Sequence, residues 1–417
     1  MVSLILLSVP LLDVAWYAWA LWRVKNLPGK KWWRAGLTAF FLLMITHFAW
    51  MLLHRRAQIG TGAPPLTLGM AYIWHLLVLP LTVVLILAGE TLLGAARLTA
   101  RSLKKNLPAT PATPPDHASP SAPAPVSALT RRQFLTVGAV AAAPAFTILS
   151  GITGRMDSKT FRVRRIDVSL AHLPAELDGI TITHLTDIHA GKFSDEKLLR
   201  RMVETSNELR SDLTLITGDL IDFSLSDLPN VTDAIARLDA PGGVHICEGN
   251  HDLFESREEF EGGLRRAHLG LLVNETANVR LNDYPVQVQG LRWGVPDNDV
   301  HRFRRDGGAE ENLALMADQR DADAFPILLA HHPHAFDAAT ARGIPFTVSG
   351  HTHGGQFMLN DHTGAGSWMF KYWSGLYRQD DSAMVVSNGV GNWLPLRINA
   401  PAEIVQITLH RRPTGAV

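Results

Sequence analysis

The chain has 417 residues, more than one typical domain, and its 39 Lys and Arg balance 39 Asp and Glu. The neutrality is a cancellation: residues 1–160 carry 15 basic against 4 acidic side chains, whereas residues 161–417 carry 24 against 35. An acidic globular half argues against nonspecific binding to a nucleic-acid backbone, so no nucleic-acid partner is expected, and the one cysteine, Cys247, excludes an intramolecular disulfide.

The first 105 residues contain three apolar runs, Met1–Trp22, Trp33–Leu53 and about Leu68–Gly89, each long enough to cross a hydrocarbon core of about 30 Å. We read residues 1–105 as a three-helix transmembrane region. Trp16, Trp19, Trp22, Trp32 and Trp33 gather near the ends of the first two helices, as interfacial anchors do. Arg23, Lys25, Lys30, Lys31 and Arg34 put the first connection in the cytoplasm, and Arg97, Arg101, Lys104 and Lys105 do the same after the third span. Asp13 and Glu90 lie near the ends of these spans and are expected to reach the interface; His47, His54 and His75 are expected to pack. Residues 106–129, rich in Pro, Ala, Ser and Thr, form a linker with too few large apolar side chains to build a core.

Residues 130–155 open with Thr130-Arg131-Arg132-Gln133-Phe134-Leu135 and continue as a small-residue apolar run. This segment resembles a twin-arginine export signal; the alternative is a fourth membrane helix whose basic flank contains paired arginines. Both readings keep the arginines in the cytoplasm and put Phe161 onward outside; Ala143-Pro144-Ala145 offers a small-residue cleavage site that would release the domain, and tethering is the expectation because three spans precede it. From Phe161 to Leu409, short Val/Ile/Leu-rich runs alternate with amphipathic segments at Asp195–Leu209, Val231–Leu238, Glu258–Ala267 and Glu310–Ala317, which indicates an α/β domain over residues 161–412. His184, His245 and Cys247 fall inside apolar runs and are expected to be buried.

Chemistry gathers just after the apolar runs: Asp187-x-His189, Gly218-Asp219, Gly249-Asn250-His251-Asp252, Ala330-His331-His332-Pro333 and Gly350-His351-Thr352-His353-Gly354-Gly355-Gln356. Carboxylate and amide oxygens mixed with imidazole nitrogens suit borderline divalent metals such as Mn, Fe, Co or Zn. Within Ala330–His334, His331 directly follows a strand-like run, and His332 and His334 are weaker candidates.

That series of five motifs resembles the calcineurin-like metallophosphoesterase superfamily over nearly all of the chain from about Phe161. The Gly350–Gln356 run, Ser374-Gly375-Leu376-Tyr377, Val386–Val390 and Pro395-Leu396-Arg397-x-Asn399-Ala400-Pro401-x-Glu403-Ile404 look like a bacterial, membrane-attached branch that is often exported by the twin-arginine route. The resemblance implies an α/β fold with a two-sheet sandwich flanked by helices (αββα), its motifs on loops beyond strand ends. It implies a pair of divalent metal ions, one held by Asp187, His189 and His353, the other by Asn250, His331 and His351, with Asp219 bridging. It also implies hydrolysis of phosphate esters by a metal-bridging hydroxide, with His251 assisting the leaving group and Asp252 orienting His251.

Substrate choice then falls to the surrounding loops. Arg302, Arg304 and Arg305 offer a grip for an anionic group, and Trp368 opens an aromatic run with Phe370, Tyr372, Trp373 and Tyr377. These features point to a phosphodiester, lipid or envelope-linked, cleaved on the periplasmic side of a bacterial inner membrane. The expected partners are the lipid bilayer and the twin-arginine export machinery. Two other classes stay open on the residues alone, a membrane protein that binds or senses a phosphate ligand without cleaving it, and a transport-associated protein.

Overall fold

The computed structural model describes residues 2–57, 65–105, 130–157, 160–294, 308–356, 358–360, 363–364, 366–393, 397 and 399–412. The proposed linker at 106–129 and Arg302, Arg304 and Arg305 lie outside these residues. The chain divides into two compact units, Met1–Ile152 and Thr153–Val417.

The first unit is helical: α1 (Val2–Val24), α2 (Lys30–Ala57), α3 (Pro65–Ile73), a π-helical turn Trp74–Val78, α4 (Leu79–Lys105) and α5, which begins at Arg131 and runs to Asp157. Thr130 and Gln133 start α5 with a reciprocal cap, the Gln133 N–H donating to Thr130 Oγ1 and the Thr130 N–H to Gln133 Oε1. Among the described residues two helices, Leu66–Ala100 and Arg131–Gly154, are long and apolar enough to cross a membrane. Leu81, Val84, Leu85, Leu87 and Leu92 stand exposed along α4.

Asp13 departs from the sequence reading. It sits mid-way along α1 rather than at its end and is 1% exposed, with Oδ1 accepting from Trp74 Nε1 (2.7 Å) and Oδ2 from His75 Nε2 (2.9 Å). The reason is helix length: α1 extends well past Asp13 on both sides, and the short carboxylate is satisfied from inside the helical unit. Glu90 accepts from Trp19 Nε1 and pairs with Arg23.

The second unit is a four-layer αββα sandwich. One six-stranded sheet has β1 (Arg162–Leu170), β2 (Thr181–Leu185), β3 (Leu213–Thr217), β4 (Val244–Cys247), β5 (Gly270–Leu271) and β14 (Glu403–Arg411) in the order β1-β14-β2-β3-β4-β5. The other has β6 (Glu275–Leu281), β7 (Tyr284–Gly290), β8 (Phe325–Leu329), β9 (Phe346–Ser349), β12 (Gly375–Gln379) and β13 (Ser382–Val386) in the order β12-β13-β9-β8-β7-β6. A two-stranded ribbon, β10 (Met358–Asn360) with β11 (Thr363–Gly364), lies apart. The strands β2 through β5 are mutually parallel, as are β7, β8, β9 and β13.

Strand alternation builds the layers. Leu213, Leu215 and Cys247 on one sheet meet Ile327, Leu329, Phe346 and Val348 on the other in the central core. The residue of opposite parity, Ile216, faces outward onto Met202 and Val203 of α6 (Glu196–Glu208) and Phe260 of α8 (Arg257–Arg266). Leu328 packs likewise on Leu313 of α9 (Ala309–Leu315) and Ala339 of α10 (Ala335–Ala341); α7 (Leu228–Ile235) completes the first outer layer. Asp195 caps α6 through the Leu198 N–H and Ser256 caps α8 through the Glu259 N–H.

His184, in β2, is fully buried with Nε2 and Thr217 Oγ1 2.9 Å apart. Burial pulls its imidazole down to about 3, Asp187 opposing only in part. An unfolded histidine takes up its proton near pH 6.5, whereas the folded site refuses it until about 3, so this group's contribution to stability is intact above pH 6.5 and is lost as the pH falls below it. The slope is about 1.4 kcal/mol per pH unit. His184→Gln is expected to flatten the acid limb of stability by about that slope, measured as urea midpoints of the full chain in detergent micelles; an unchanged limb would rule out this origin.

Candidate metal centre

Parallel strands deliver the functional loops to one place because each leaves its sheet at the same end. Asp187 and His189 follow β2, Asp219 and Asp222 follow β3, Asn250 and His251 follow β4, His331 follows β8, and His351 and His353 follow β9. Five of these side chains sit on left-handed backbone: Asp187 (φ 51°), His189 (45°), Asp219 (52°), His351 (71°) and His353 (50°). Such conformations cost of order 1–3 kcal/mol each and persist where the surroundings over-determine them. Gly350 shows how tight those surroundings are, since a Cβ there would overlap Thr186 Oγ1 and Asp187 Oδ2.

Three donor clusters result, Asp187-His189-His353, Asp219-His331-His351 and His189-Asp222-His251, and the first two hold residues that the resemblance assigned to metal. In the first, Asp187 Oδ1 is 3.1 Å from His353 Nε2 and 3.7 Å from His189 Nε2, and the two imidazole nitrogens are 3.1 Å apart. In the second, His331 Nε2 is 3.2 Å from both Asp219 Oδ2 and His351 Nδ1. Asp219 Oδ2 also lies 3.6 Å from His189 Nε2, which puts one carboxylate oxygen beside both triads. Donor atoms bound at about 2.1 Å to a common ion lie about 3.0–3.4 Å from one another in octahedral or tetrahedral geometry, so these spacings fit divalent ions. Asp187 Oδ1 and Asn250 Oδ1 are buried and accept no hydrogen bond, as expected of atoms whose partner is a cation.

The supporting groups fix which atom faces inward. His331 Nδ1 donates to the Thr217 carbonyl (2.6 Å), leaving Nε2 as the lone pair toward Asp219. Asp187 Oδ2 accepts from Thr186 Oγ1 (2.8 Å) and from the His351 N–H (2.9 Å), which turns Oδ1 to the triad. Asp219 Oδ1 accepts the His251 N–H (2.8 Å), and Oδ2 is left for the ions.

Asp252 has a different task from the one the sequence suggested. Its carboxylate accepts the backbone N–H groups of Gly249 (2.9 Å), Asp219 (2.9 Å), Leu220 (2.7 Å) and Ile221 (3.2 Å). His251 and Asp252 are consecutive in a single 3-10 turn, His251–Leu253, so their side chains diverge by about a third of a turn. The ring of His251 is held by Asp222 instead: Nδ1 donates to the Asp222 carbonyl (2.6 Å) and lies 3.5 Å from its Oδ1. Asp222 went unread in the sequence, although Asp219-x-x-Asp222 was visible after β3. Burial pushes the Asp222 carboxyl up to about 6. Burial would lower His251, but Asp219 and Asp222 outweigh it and raise the imidazolium to about 9.

Aromatic rings surround the centre. Trp293 stands 5.4 Å from the His331 ring and 5.3 Å from that of His351, and Phe370 is 5.7 Å from His351. Phe223 and Phe254 flank His251 at 5.2 and 4.6 Å. The aromatic run divides: Tyr372 and Trp373 are buried in local core, whereas Trp368 is 89% exposed on the short helix Gly366–Met369. His332 Nδ1 accepts from the His334 N–H, and His334 Nε2 accepts from the Lys371 N–H, so both rings brace local backbone.

The comparison with known proteins agrees with this architecture. The profile of calcineurin-like phosphoesterases matches residues 180–355. An uncharacterized metallophosphoesterase of Campylobacter jejuni is 30% identical over 274 residues, which cover 63% of this chain and 67% of that protein. One of Bacillus subtilis is 28% identical over 303 residues, 67% of this chain and 98% of that protein. A transmembrane protein with metallophosphoesterase domain from Danio rerio is 32% identical over 260 residues, 60% of this chain but only 57% of the zebrafish protein. The chain belongs to the calcineurin-like phosphoesterase family.

Asp222→Asn is expected to lower kcat for phosphate-ester hydrolysis by about 10²-fold, the size of a general-acid contribution, while the metal content stays at the unsubstituted value. Steady-state rates and elemental analysis on the same sample check it; an unchanged kcat would remove Asp222 from the description of His251.

Proposed function

We propose that the chain is a membrane-tethered hydrolase of phosphate esters that works with two divalent metal ions. One observation carries the reading: two donor triads, buried except for a half-buried His351, meet at the Asp219 carboxylate, and His251 is anchored to that same residue through its backbone N–H. Asp187, His189 and His353 would hold one ion; Asn250, His331 and His351 the other; Asp219 both. Two ions so held neutralise phosphoryl oxygens and supply a water acidic enough to act as nucleophile near neutral pH.

The protein's own groups do the rest. His251, its Nδ1 held by the Asp222 carbonyl, stabilises negative charge on the phosphoryl group and gives its Nε2 proton to the departing oxygen. Asp222 fixes the ring so that Nε2 is the free end. Trp293 and Phe370 limit water at the second triad and offer flat apolar surface to the substrate.

The twin arginines Arg131 and Arg132 and the apolar helix they begin support attachment to a bacterial inner membrane, with the hydrolase on the periplasmic side. The exposed leucines along α4 are consistent with a lipid-facing surface. Relatives named as transmembrane proteins from zebrafish and cattle support attachment to a membrane. The substrate we favour is a phosphodiester carried on a lipid or another envelope component, because Trp368 (89% exposed) and Met369 (65%) project beside Phe370 at the centre.

The deciding experiment uses the full chain in detergent micelles, stripped of metal and resupplied with Mn, Zn, Co or Mg, with nitrophenyl phosphomonoester and phosphodiester substrates. Turnover is expected to need metal. His251→Ala should cost about 10²–10⁴-fold in kcat with both ions retained, and Asp219→Ala should lose metal and activity together. No turnover by a folded, metal-loaded protein would overturn the hydrolase reading. For the substrate class, the Trp368→Ser, Met369→Ser double variant should weaken hydrolysis of a phosphodiester lipid in vesicles and leave a soluble diester untouched. Equal loss on both would count against lipid recognition.

A further inference from the structure

The C-terminal motif around Arg397 and Glu403 is absorbed by nothing above, yet it makes the densest set of buried polar contacts near the centre. The Arg397 guanidinium is 7% exposed. Its Nη1 donates to the carbonyls of Asn388 (2.9 Å) and Ala400 (3.1 Å), its Nη2 to that of Gly391 (2.6 Å), and its Nε to Asn392 Oδ1 (2.5 Å). The same Nη2 donates to His353 Nδ1 at 3.1 Å. A guanidinium has no acceptor, so Nδ1 accepts, which puts the ring proton on Nε2 facing Asp187 Oδ1; an ion at Nε2 would need the other tautomer, so this contact does not itself prepare His353 for metal.

Glu403 grips the same segment from the other side. Its Oε1 accepts the Asn388 N–H (3.1 Å), its own N–H donates to the Gly389 carbonyl (2.9 Å), and its Oε2 accepts from Arg162 of β1. Residues 388–391 in turn donate to the first ligand loop, Val390 N–H to the Thr186 carbonyl (3.0 Å) and Gly391 N–H to the Asp187 carbonyl (2.9 Å). A Cβ at Gly389 would come within 2.6 Å of Asp187 Cβ, so the segment lies directly against that residue.

We propose that Arg397 is a positioning residue for one metal ion only, the one held by Asp187, His189 and His353. It acts by clamping residues 388–391 against Asp187. Its charge works against this end, since a buried guanidinium repels a nearby divalent cation; only its geometry explains its place there. The fork of parallel N–H donors, which an ammonium lacks, is what spans the carbonyls of Asn388, Gly391 and Ala400 at once. Neither residue of the second triad, His331 or His351, is touched by it.

The inference rests on the two-metal reading, and the test separates the two. Metal-stripped full chain in detergent micelles is titrated with Co²⁺, followed by visible absorption and calorimetry, with folding checked by circular dichroism. The unsubstituted chain should show two binding classes; fewer would overturn the two-metal reading and this proposal with it. Arg397→Gln should weaken one class by about 10–100-fold, with a changed cobalt spectrum for that class, and leave the other intact. Asn392→Ala keeps the guanidinium but removes one of its anchors, and should weaken the same class by a smaller factor. It carries the test if the Arg397 variant fails to fold. Two classes with unchanged affinities and spectrum, or equal weakening of both, would overturn the proposal, because a residue that merely supports the fold has no reason to choose between the ions.

Discussion

The Asp252 carboxylate is the constraint on which the centre depends. It receives four backbone N–H groups from two loops, one after β3 and one after β4, and so binds the Gly218-Asp219 turn to the Gly249-Asn250 turn. Asp219 can lie beside both triads, and the His251 N–H can reach Asp219 Oδ1, only because those turns are held together. A single buried acid thereby fixes three functional residues without touching any of their side chains. Burial raises its carboxyl to about 7, with Asp219 adding to the effect, and the backbone dipoles aimed at it act in the opposite sense.

The centre is assembled against its own interests as a piece of folded protein. Asp187, His189, Asp219, His331 and His353 are all nearly or wholly buried, and two of their polar atoms, Asp187 Oδ1 and His189 Nδ1, have no hydrogen-bond partner. Left-handed backbone at five positions adds strain. An apolar core on both faces of two sheets offsets these costs, with Ile327, Leu329, Phe346 and Val348 inside and Phe260 and Leu264 outside. Rigid strands are also what hold donor atoms to a few tenths of an ångström, which loops alone would not do.

The helical unit solves a comparable problem by pairing. Asp13, Trp74 and His75 satisfy one another within an apolar helical unit, at the point where the helix widens into a π turn. His47 is satisfied locally as well, Nδ1 donating to the Leu43 carbonyl and Nε2 facing Thr67 Oγ1. Trp16, Phe40 and Trp74 pack edge to face around them.

Much of this was legible in the sequence, for a definite reason. Chemistry in an α/β sheet sits one or two residues beyond a strand, so apolar runs such as Leu213–Thr217 and Phe325–Leu329 marked where to look, and Asp219 and His331 stood there. The amphipathic stretches that became α6 and α8 were readable from their period alone. Direction was not readable. Whether Asp222 or Asp252 meets His251 depends on how a 3-10 turn splays adjacent side chains, whether Trp373 or Trp368 is buried depends on the loop's path, and whether Arg397 reaches His353 depends on contacts 44 residues apart. The sequence determined the layers, the strand ends and the kinds of donor atom, because local period and residue chemistry are written in order along the chain. Only the tertiary structure decided which donor faces which, because that follows from backbone turns and long-range packing that no local pattern encodes.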